Sequence, residues 1–492
     1  MLLVSSLWLL AASITQGNAY LLGRSPITEC LDDSSVPQVA PGSTNFTSLS
    51  KPFNLRVPFT PATIAVPEAV DQVQAAVKCA AKLKLTASAR SGGHSYASWG
   101  LGGEDGHLVI DMKRFNKVQL DQGSKIATIG SGSRLGNIAL GLYDQGKRAI
   151  SQGMCPEVGL GGFVLHGGFG YSSRRKGLTL DAMVEAEVVL ADGSLVKASQ
   201  SENSDLFWAL RGAGSSFGIV TNFKIQTFEA PEENTVFEYA LGIENSSAAQ
   251  TAIAAVQEFA TTKQPKELQT RLFINKDAFS LVGIYYGPQK TFSEVIAPLT
   301  AKLGNPTGKI ADKGWIDSLL KYSNGPLEQP LDFYDKHETF FCKSLMGPAL
   351  SSDGLVALSD YLFTTAKANT RSWFLNIDLH GGQGSAISEV AVDATAYPHR
   401  NAVLKMQFYD NINSKFQFPA DGMDLMNGWV QNVEKAMPDA VFGMYSNYAD
   451  PSLSRDEAHK RYWGPNYAKL EEIKKKYDPE ARFNNPQAVG SG

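Results

Sequence analysis

The chain has 492 residues, with 45 Lys and Arg against 49 Asp and Glu for a formal net charge of −4. That balance excludes the basic footprint of a nucleic-acid binder and the polybasic face of a membrane-surface protein. A hydrophobic share of 43% and a charged share of 19% exclude a disordered chain, and the length predicts two or three domains. The informative departures are 45 glycines, strongly clustered, and four cysteines, too few to staple a protein of this size.

Residues 1–19 carry no charge, hold the apolar runs Leu2-Leu3-Val4 and Trp8-Leu9-Leu10, and end in the small residues Gly17-Asn18-Ala19. They read as a secretory leader cleaved after Ala19, although the basic start is missing; the alternative is a buried N-terminal element. No later stretch reaches the ~20 apolar residues that spanning a bilayer requires, so the expected product is soluble and extracellular. Asn45-Phe46-Thr47 and Asn245-Ser246-Ser247 are then candidate glycosylation sites at Asn45 and Asn245.

Thr63 to Val66 reads as a strand, and Pro67 as the first residue of a helix whose apolar face is Val70, Val73, Ala76, Val77 and Ala80. A strand from Leu85 to Ala89 runs into Arg90-Ser91-Gly92-Gly93-His94-Ser95, and Leu135 to Tyr143 is helical. Val184 to Leu190 and Leu195 to Ala198 flank Ala191-Asp192-Gly193-Ser194, a hairpin signal because Asp-Gly tolerates positive φ. A helix capped by Ser204 covers Leu206 to Leu210 and ends in Arg211-Gly212-Ala213-Gly214.

Past Phe228 the glycines thin out. Aromatic-rich strands (280–286, 372–379, 403–409) alternate with helices (248–261, 354–366), and a final helix at 467–477 stops at Asp478-Pro479. The expected layout is a leader at 1–19, a first domain at 20–227, a second α+β domain at 228–440, and a segment at 441–492 that returns to complete the first.

Two glycine clusters carry the chemistry. Adjacent glycines in Arg90-Ser91-Gly92-Gly93-His94-Ser95, placed after a strand, let main-chain N–H groups converge on an anion such as a pyrophosphate. The loop matches neither a phosphate-binding Walker loop nor the G-x-G-x-x-G dinucleotide fingerprint. The run from Gly153-Met154-Cys155-Pro156 through Val158, Gly159 and Gly162 to Gly170 implies close main-chain approach to something large and flat. The plain alternative is a pair of glycine-rich turns.

In their order, 61–67 (Pro-Ala-Thr-Ile-Ala-Val-Pro), 90–96, Gly153-x-Cys155-Pro156, Gly177-Leu178-x-x-Asp181 and 211–221 resemble the FAD domain of the vanillyl-alcohol-oxidase-type flavoproteins. Tyr445-Ser446-Asn447-Tyr448-x-Asp450 and the tail from Tyr462-Trp463-Gly464-Pro465 to Asn484-Asn485-Pro486 are similar to the berberine-bridge-enzyme branch, and within it to the fungal oligosaccharide oxidases. The resemblance spans nearly the whole mature chain. It implies an α+β, two-domain vanillyl-alcohol-oxidase-type FAD-binding fold, with a second α+β substrate domain built on an antiparallel sheet.

It further implies FAD held by two covalent bonds, from His94 to the 8α carbon and from Cys155 to ring carbon 6, and no metal. Arg90, Ser91, Gly92, Gly93, Ser95, Gly153, Val158, Gly159, Gly162, Ile219, Asn447 and Asn485 would line the flavin. A valine at 158 resembles oxygen-reactive members. Taken alone, His94 reads as an ordinary loop histidine and Cys155 as a disulfide partner or small buried hydrophobe. With Cys155 on the flavin, Cys30 and Cys79 can form a disulfide, leaving Cys342 free; secretion makes that bridge reasonable.

Tyr448 matches the family base that takes the proton of a sugar C1 hydroxyl, and Asp378 the aspartate that hydrogen-bonds it, since tyrosine alone, with a pKa near ~10, is a weak base. The alternatives are a core aromatic and a buried structural carboxylate. The sugar platform falls to Tyr96, Gln269, Arg271, Tyr322, Phe374, Asn376 and Gln407. Phe374 and Asn376 depart from the Trp and Gln of the glucooligosaccharide type, and the Gln269 region looks nearer to the chitooligosaccharide type. The expected enzyme is a secreted, monomeric oxidase that converts the reducing-end C1 of an oligosaccharide to the lactone and reduces O2 to H2O2, with no nucleic-acid or membrane partner. A flavin oxidase acting on a secondary-metabolite alcohol or ring closure is the alternative, and a carbohydrate-binding protein with a vestigial flavin the reading from another class.

Overall fold

The computed structural model describes residues 25–323, 325–332 and 336–490; the leader read at 1–19 lies outside them. The N-terminal part builds two sheets. The first contains β1 (Gln38–Val39), β2 (Thr63–Ala65), β3 (Ala87–Arg90) and β4 (Leu108–Asp111) in the order β1-β2-β4-β3, with β2 and β3 parallel to β4. The second is antiparallel: β5 (Val118–Leu120), β6 (Ile126–Gly130), β7 (Met183–Val189), β8 (Leu195–Ser199) and β9 (Ile219–Gln226) lie in the order β5-β6-β9-β7-β8. The β7–β8 hairpin turns at Gly193, whose φ of +79° is the conformation the Asp-Gly signal predicts.

The helix Val70–Leu83 buries Val73, Ala76, Val77 and Ala80 against Leu108, Ile110, Val189 and Ile219, so it joins the two sheets. It starts at Val70 after Ala69, not at Pro67, which stays in the preceding loop. Ser204 likewise lies inside its helix, Ser204–Ala213. Asn203 is the cap, in a left-handed conformation with φ 48°, a geometry asparagine tolerates better than serine. That helix breaks at Arg211 and Gly212, where φ at Gly212 is +143°. A Cys30–Cys79 disulfide ties the helix Pro26–Asp33 to Val70–Leu83.

A seven-stranded antiparallel sheet follows: β10 (Asn234–Ala240), β11 (Leu268–Asn275), β12 (Phe279–Tyr285), β13 (Gly308–Lys313), β14 (Thr339–Gly347), β15 (Ser372–Leu379) and β16 (Leu404–Ile412). Its order is β13-β10-β12-β11-β15-β16-β14. Side chains alternate across a strand, and one face sends Leu272, Ile377 and Met406 into a core shared with helices Ser246–Thr262, Ser352–Tyr361 and Asp424–Ala436. The register sets the opposite face in rows: Arg271, Asp378 and Lys405 lie side by side on β11, β15 and β16. Next come Phe273, Asn376, Gln407 and Ser344, then Asn275, Phe374, Tyr409 and Cys342. The C-terminal segment returns to the first core, where Tyr445, Tyr462, Leu470, Ile473 and Val489 pack with Phe207 and Phe217.

Candidate active site

A cavity of about 750 Å3 opens between the rows of the large sheet and the glycine loops, within the range of ligand-binding cavities. The loops touch main chain to main chain: a Cβ on Gly92 would lie 2.1 Å from the nitrogen of Gly159, and one on Gly159 2.0 Å from that of Gly92. Only glycine permits this approach. Ser91 braces it, its Oγ donating to the Ser131 carbonyl and accepting from the N–H of Gly161 at 3.2 Å. Gly162 lines the cavity with nothing within 4 Å of where a Cβ would stand, and the buried Ser131 hydroxyl on the same wall has no hydrogen-bond partner. A flat ring system fits the first feature and a polar acceptor the second.

His94, Cys155, Arg90, Ser91, Gly92, Gly93, Ser95, Gly153, Val158, Gly159, Gly162, Ile219, Asn447 and Asn485 all line this cavity. Arg90 is paired with Asp111 at 2.7 Å, and Ser95 Oγ accepts from the N–H of Trp99. Asn447 Nδ2 donates to Phe163 O at 3.1 Å and Tyr445 Oη at 3.0 Å, while Asn485 Oδ1 accepts from the N–H of Gln487. The His94 ring stacks on Phe53 at 4.4 Å. Burial, aided by Arg134, Lys336 and His337, pushes its pKa down to about 3, so at neutral pH the imidazole is uncharged and keeps a nucleophilic lone pair. Burial, with Glu157 adding and Lys336 and Arg271 opposing, pushes the Cys155 thiol up to about 11.

Tyr448, also in the lining, is stacked on Tyr96 with centroids 5.5 Å apart and lies edge-on to Tyr445 at 5.1 Å. Asp378 does not hydrogen-bond it. The Asp378 oxygens are taken by Arg271 (Nε at 2.6 Å, Nη2 at 3.1 Å) and by Lys405 Nζ at 2.6 Å, the two cross-strand neighbours that the register supplies. Lys405 is the group next to the tyrosine, with Nζ 3.5 Å from its Oη and 4.7 Å from its ring centroid. Burial alone would raise the Asp378 carboxyl, but Arg271 and Lys405 outweigh it and hold it at about 2. With Lys405 protonated, the buried cluster carries one net positive charge beside the phenol; with Lys405 as the neutral amine, it carries none. Burial, then Asp378, pushes Tyr448 well above its ordinary range, while burial pushes Lys405 below its own.

The expected sugar platform divides. Tyr96, Arg271, Tyr322, Phe374, Asn376 and Gln407 line the cavity. Gln407 Nε2 donates to Tyr96 Oη at 3.2 Å and Asn376 Nδ2 to Gln407 Oε1 at 3.1 Å, leaving Asn376 Oδ1 buried without a partner. Phe374 stacks on Tyr409 at 4.7 Å. Gln269 does not line the cavity: it is fully buried, and its Nε2 donates to the carbonyls of Thr270 and Leu379. Arg271 spends Nε and Nη2 on Asp378, with Nη1 3.4 Å from Met154 Sδ, and the Tyr322 hydroxyl hydrogen is directed at the main-chain carbonyls of Phe237 and Gly283. Lys405 was missed by sequence reasoning. Its signal was a lone lysine in the apolar run Val403-Leu404-Lys405-Met406. The exposed Asn45 and Asn245 are accessible to modification, and no helix of the described residues is long and apolar enough to cross a membrane.

Residues 61–199 match a family model described as an FAD binding domain, and residues 444–490 one described as berberine and berberine like. The chain is 44% identical over 469 residues to a xylooligosaccharide oxidase of Thermothelomyces thermophilus, covering 95% of this chain and 94% of that protein. It is 41% identical over 468 residues to a chitooligosaccharide oxidase of Gibberella zeae, with the same coverages of 95% and 94%. A solved glucooligosaccharide oxidase from Acremonium strictum, described with a 6-S-cysteinyl, 8α-N1-histidyl FAD, superposes with a TM-score of 0.91 at 40% identity, covering 94% of this chain and 99% of that one.

Proposed function

The chain belongs to the berberine-bridge-like family of FAD-dependent oxidoreductases, and on that premise we propose that it is a secreted oligosaccharide oxidase. It oxidises the reducing-end C1 hydroxyl to the lactone, which hydrolyses to the aldonic acid, and passes the electrons to O2 as H2O2. FAD is bound through His94 and Cys155, both of which line the cavity. Bound there, it supplies the two-electron acceptor for the hydrogen on C1.

The chain's own residues bind the sugar and manage the proton. Tyr448 Oη receives the proton of the C1 hydroxyl, and its own proton passes to Lys405 in its neutral amine form, the form that burial favours. Asp378, itself fixed by Arg271, holds Lys405 in place. The aromatic face of Phe374 stacks on the pyranose, Tyr96 borders it, and a sugar hydroxyl donates to Asn376 Oδ1, an acceptor that costs about 1–3 kcal/mol when left buried and unpaired. Residues 20–227 and 441–492 hold the flavin and 228–440 the sugar, in a monomer with glycans at Asn45 and Asn245.

The observation that carries this reading is Tyr448, pinned between Tyr96 and Lys405 on a wall of the cavity that also holds His94 and Cys155. The test is a panel of cello-, xylo-, malto- and chito-oligosaccharides assayed for peroxide. Turnover of at least one series is expected; no turnover on any of them overturns the sugar assignment.

A further inference from the structure

The two attachment residues sit on loops 61 positions apart in sequence, yet both must meet one rigid ring, at fixed positions of the same six-membered edge. Something has to set the spacing of the loops before either bond forms. The geometry points to Arg134 as that positioning residue: one guanidinium nitrogen clamps the His94 loop to the Cys155 loop. This rests on the proposed double attachment and goes beyond it.

Arg134 is 4% exposed, and its Nη1 carries two hydrogens. One is donated to the carbonyl of Gly92, two residues before His94, at 2.9 Å. The other goes to the carbonyl of Glu157, two residues after Cys155. A buried cation placed on two main-chain carbonyls restrains both loops at once.

The restraint is lopsided. The Cys155 loop is also held by main chain at the start of the helix Leu135–Gly146: the N–H of Leu135 donates to Val158 O at 2.9 Å, that of Gly136 to Pro156 O at 3.0 Å, and that of Leu160 to Ser133 O at 2.9 Å. Arg134 itself pairs with Gly159 as an isolated bridge. The His94 loop is joined to this platform by the Arg134 side chain, the Ser91 hydroxyl contact with Gly161 and the tight Gly92–Gly159 approach. Removing the guanidinium therefore leaves the Cys155 loop seated and loosens the His94 loop.

Attachment at His94 joins a ring nitrogen to the 8α carbon, with one proton lost from the imidazole and one from the methyl group. The two electrons released to the flavin leave to O2, which takes up both protons as H2O2. A bond-forming step of this kind is sensitive to placement, and about 1 Å of error costs on the order of a hundredfold in rate.

The experiment compares the unmodified protein, Arg134→Met and Arg134→Lys, each expressed with FAD and oxygen in excess, digested, and mapped for flavin mass on the His94 and Cys155 peptides. The unmodified protein is expected to carry flavin on both. Arg134→Met is expected to keep the Cys155 link and lose most of the His94 link. Arg134→Lys, whose ammonium is a point charge without the guanidinium's fork, should fall between. A His94 link at the unmodified level in Arg134→Met, or loss of the Cys155 link first, overturns the clamp. Should Arg134→Met not fold, Arg134→Lys decides, and full His94 attachment in it overturns the clamp. An unmodified protein with flavin on neither peptide overturns instead the attachment reading beneath it.

Discussion

Lys405 sits where the proton balance of the site is decided, because it touches both Asp378 and Tyr448. Asp378 is held ionised at about 2, so it is a poor proton acceptor. Tyr448 is pushed up by burial and Asp378, and Lys405 is pushed down by burial, so a proton lost from this pair belongs to both residues and titrates as one step. The active form is the one that has shed it. It follows that kcat/KM rises with pH along a limb set by the pair. Lys405→Met should lower kcat/KM by about 10²–10³-fold and move that limb to higher pH, toward the raised value of the lone tyrosine; a variant with an unmoved limb would put the proton elsewhere.

Strand register does for the site what no local motif could. Arg271, Asp378 and Lys405 come from three strands spread over 135 positions, and their meeting depends on cross-strand pairing. The strand at 372–379 is legible from its alternation, and Asp378 on it stands out, but its neighbours are set by pairings that alternation does not encode. A one-residue slip would turn every member of the row into the hydrophobic core. For the same reason Gln269 looked equivalent to Arg271 in sequence, while in the sheet it falls beyond the cavity wall. The glycine loops were more legible, since close main-chain approach demands a residue type directly, as at Gly92 and Gly159. Helix starts were less so, because Pro67 and Ser204 have the right chemistry one turn or one residue from where packing begins the helix.

The same row predicts a stability effect. Asp378→Asn leaves two buried cations without their counter-charge, and is expected to cost about 3–5 kcal/mol in a denaturant titration. In the unmodified protein the carboxyl lies at about 2 when folded against an ordinary 3.8, so it binds a proton more weakly folded than unfolded. Its contribution is therefore present above about pH 4 and is lost as pH falls toward 2. An Asp378→Asn variant as stable as the parent at neutral pH would mean that the row is not electrostatically held.

At the scale of the molecule, the cavity is made by three separated parts of the chain. The glycine loops come from the N-terminal sheets, the platform rows from the seven-stranded sheet, and Tyr448 from the C-terminal segment. That last segment is fastened deep in the first core. Lys474 Nζ donates to Ser216 O, Asp478 Oδ2 and Phe483 O at 2.6–2.9 Å, and Trp463 Nε1 donates to Gly212 O at 3.0 Å. The base is thus carried by one body and its lysine partner by the other, so the site is complete only when both are packed.

The C-terminal segment packs back into the first core, but nothing in its sequence marks the cavity it closes. The −4 charge, which excluded polyanionic partners, agrees with a wall whose charges are largely paired among themselves and with a neutral ligand. The most direct measurement is anaerobic mixing of the purified protein with a reducing oligosaccharide and, separately, with the same sugar reduced to its alditol, while flavin absorbance is followed. The account predicts bleaching by the reducing sugar alone, with lactone or aldonic acid recovered in equal amount to the flavin reduced. Equal bleaching by the alditol, or none by either sugar, would contradict oxidation at C1.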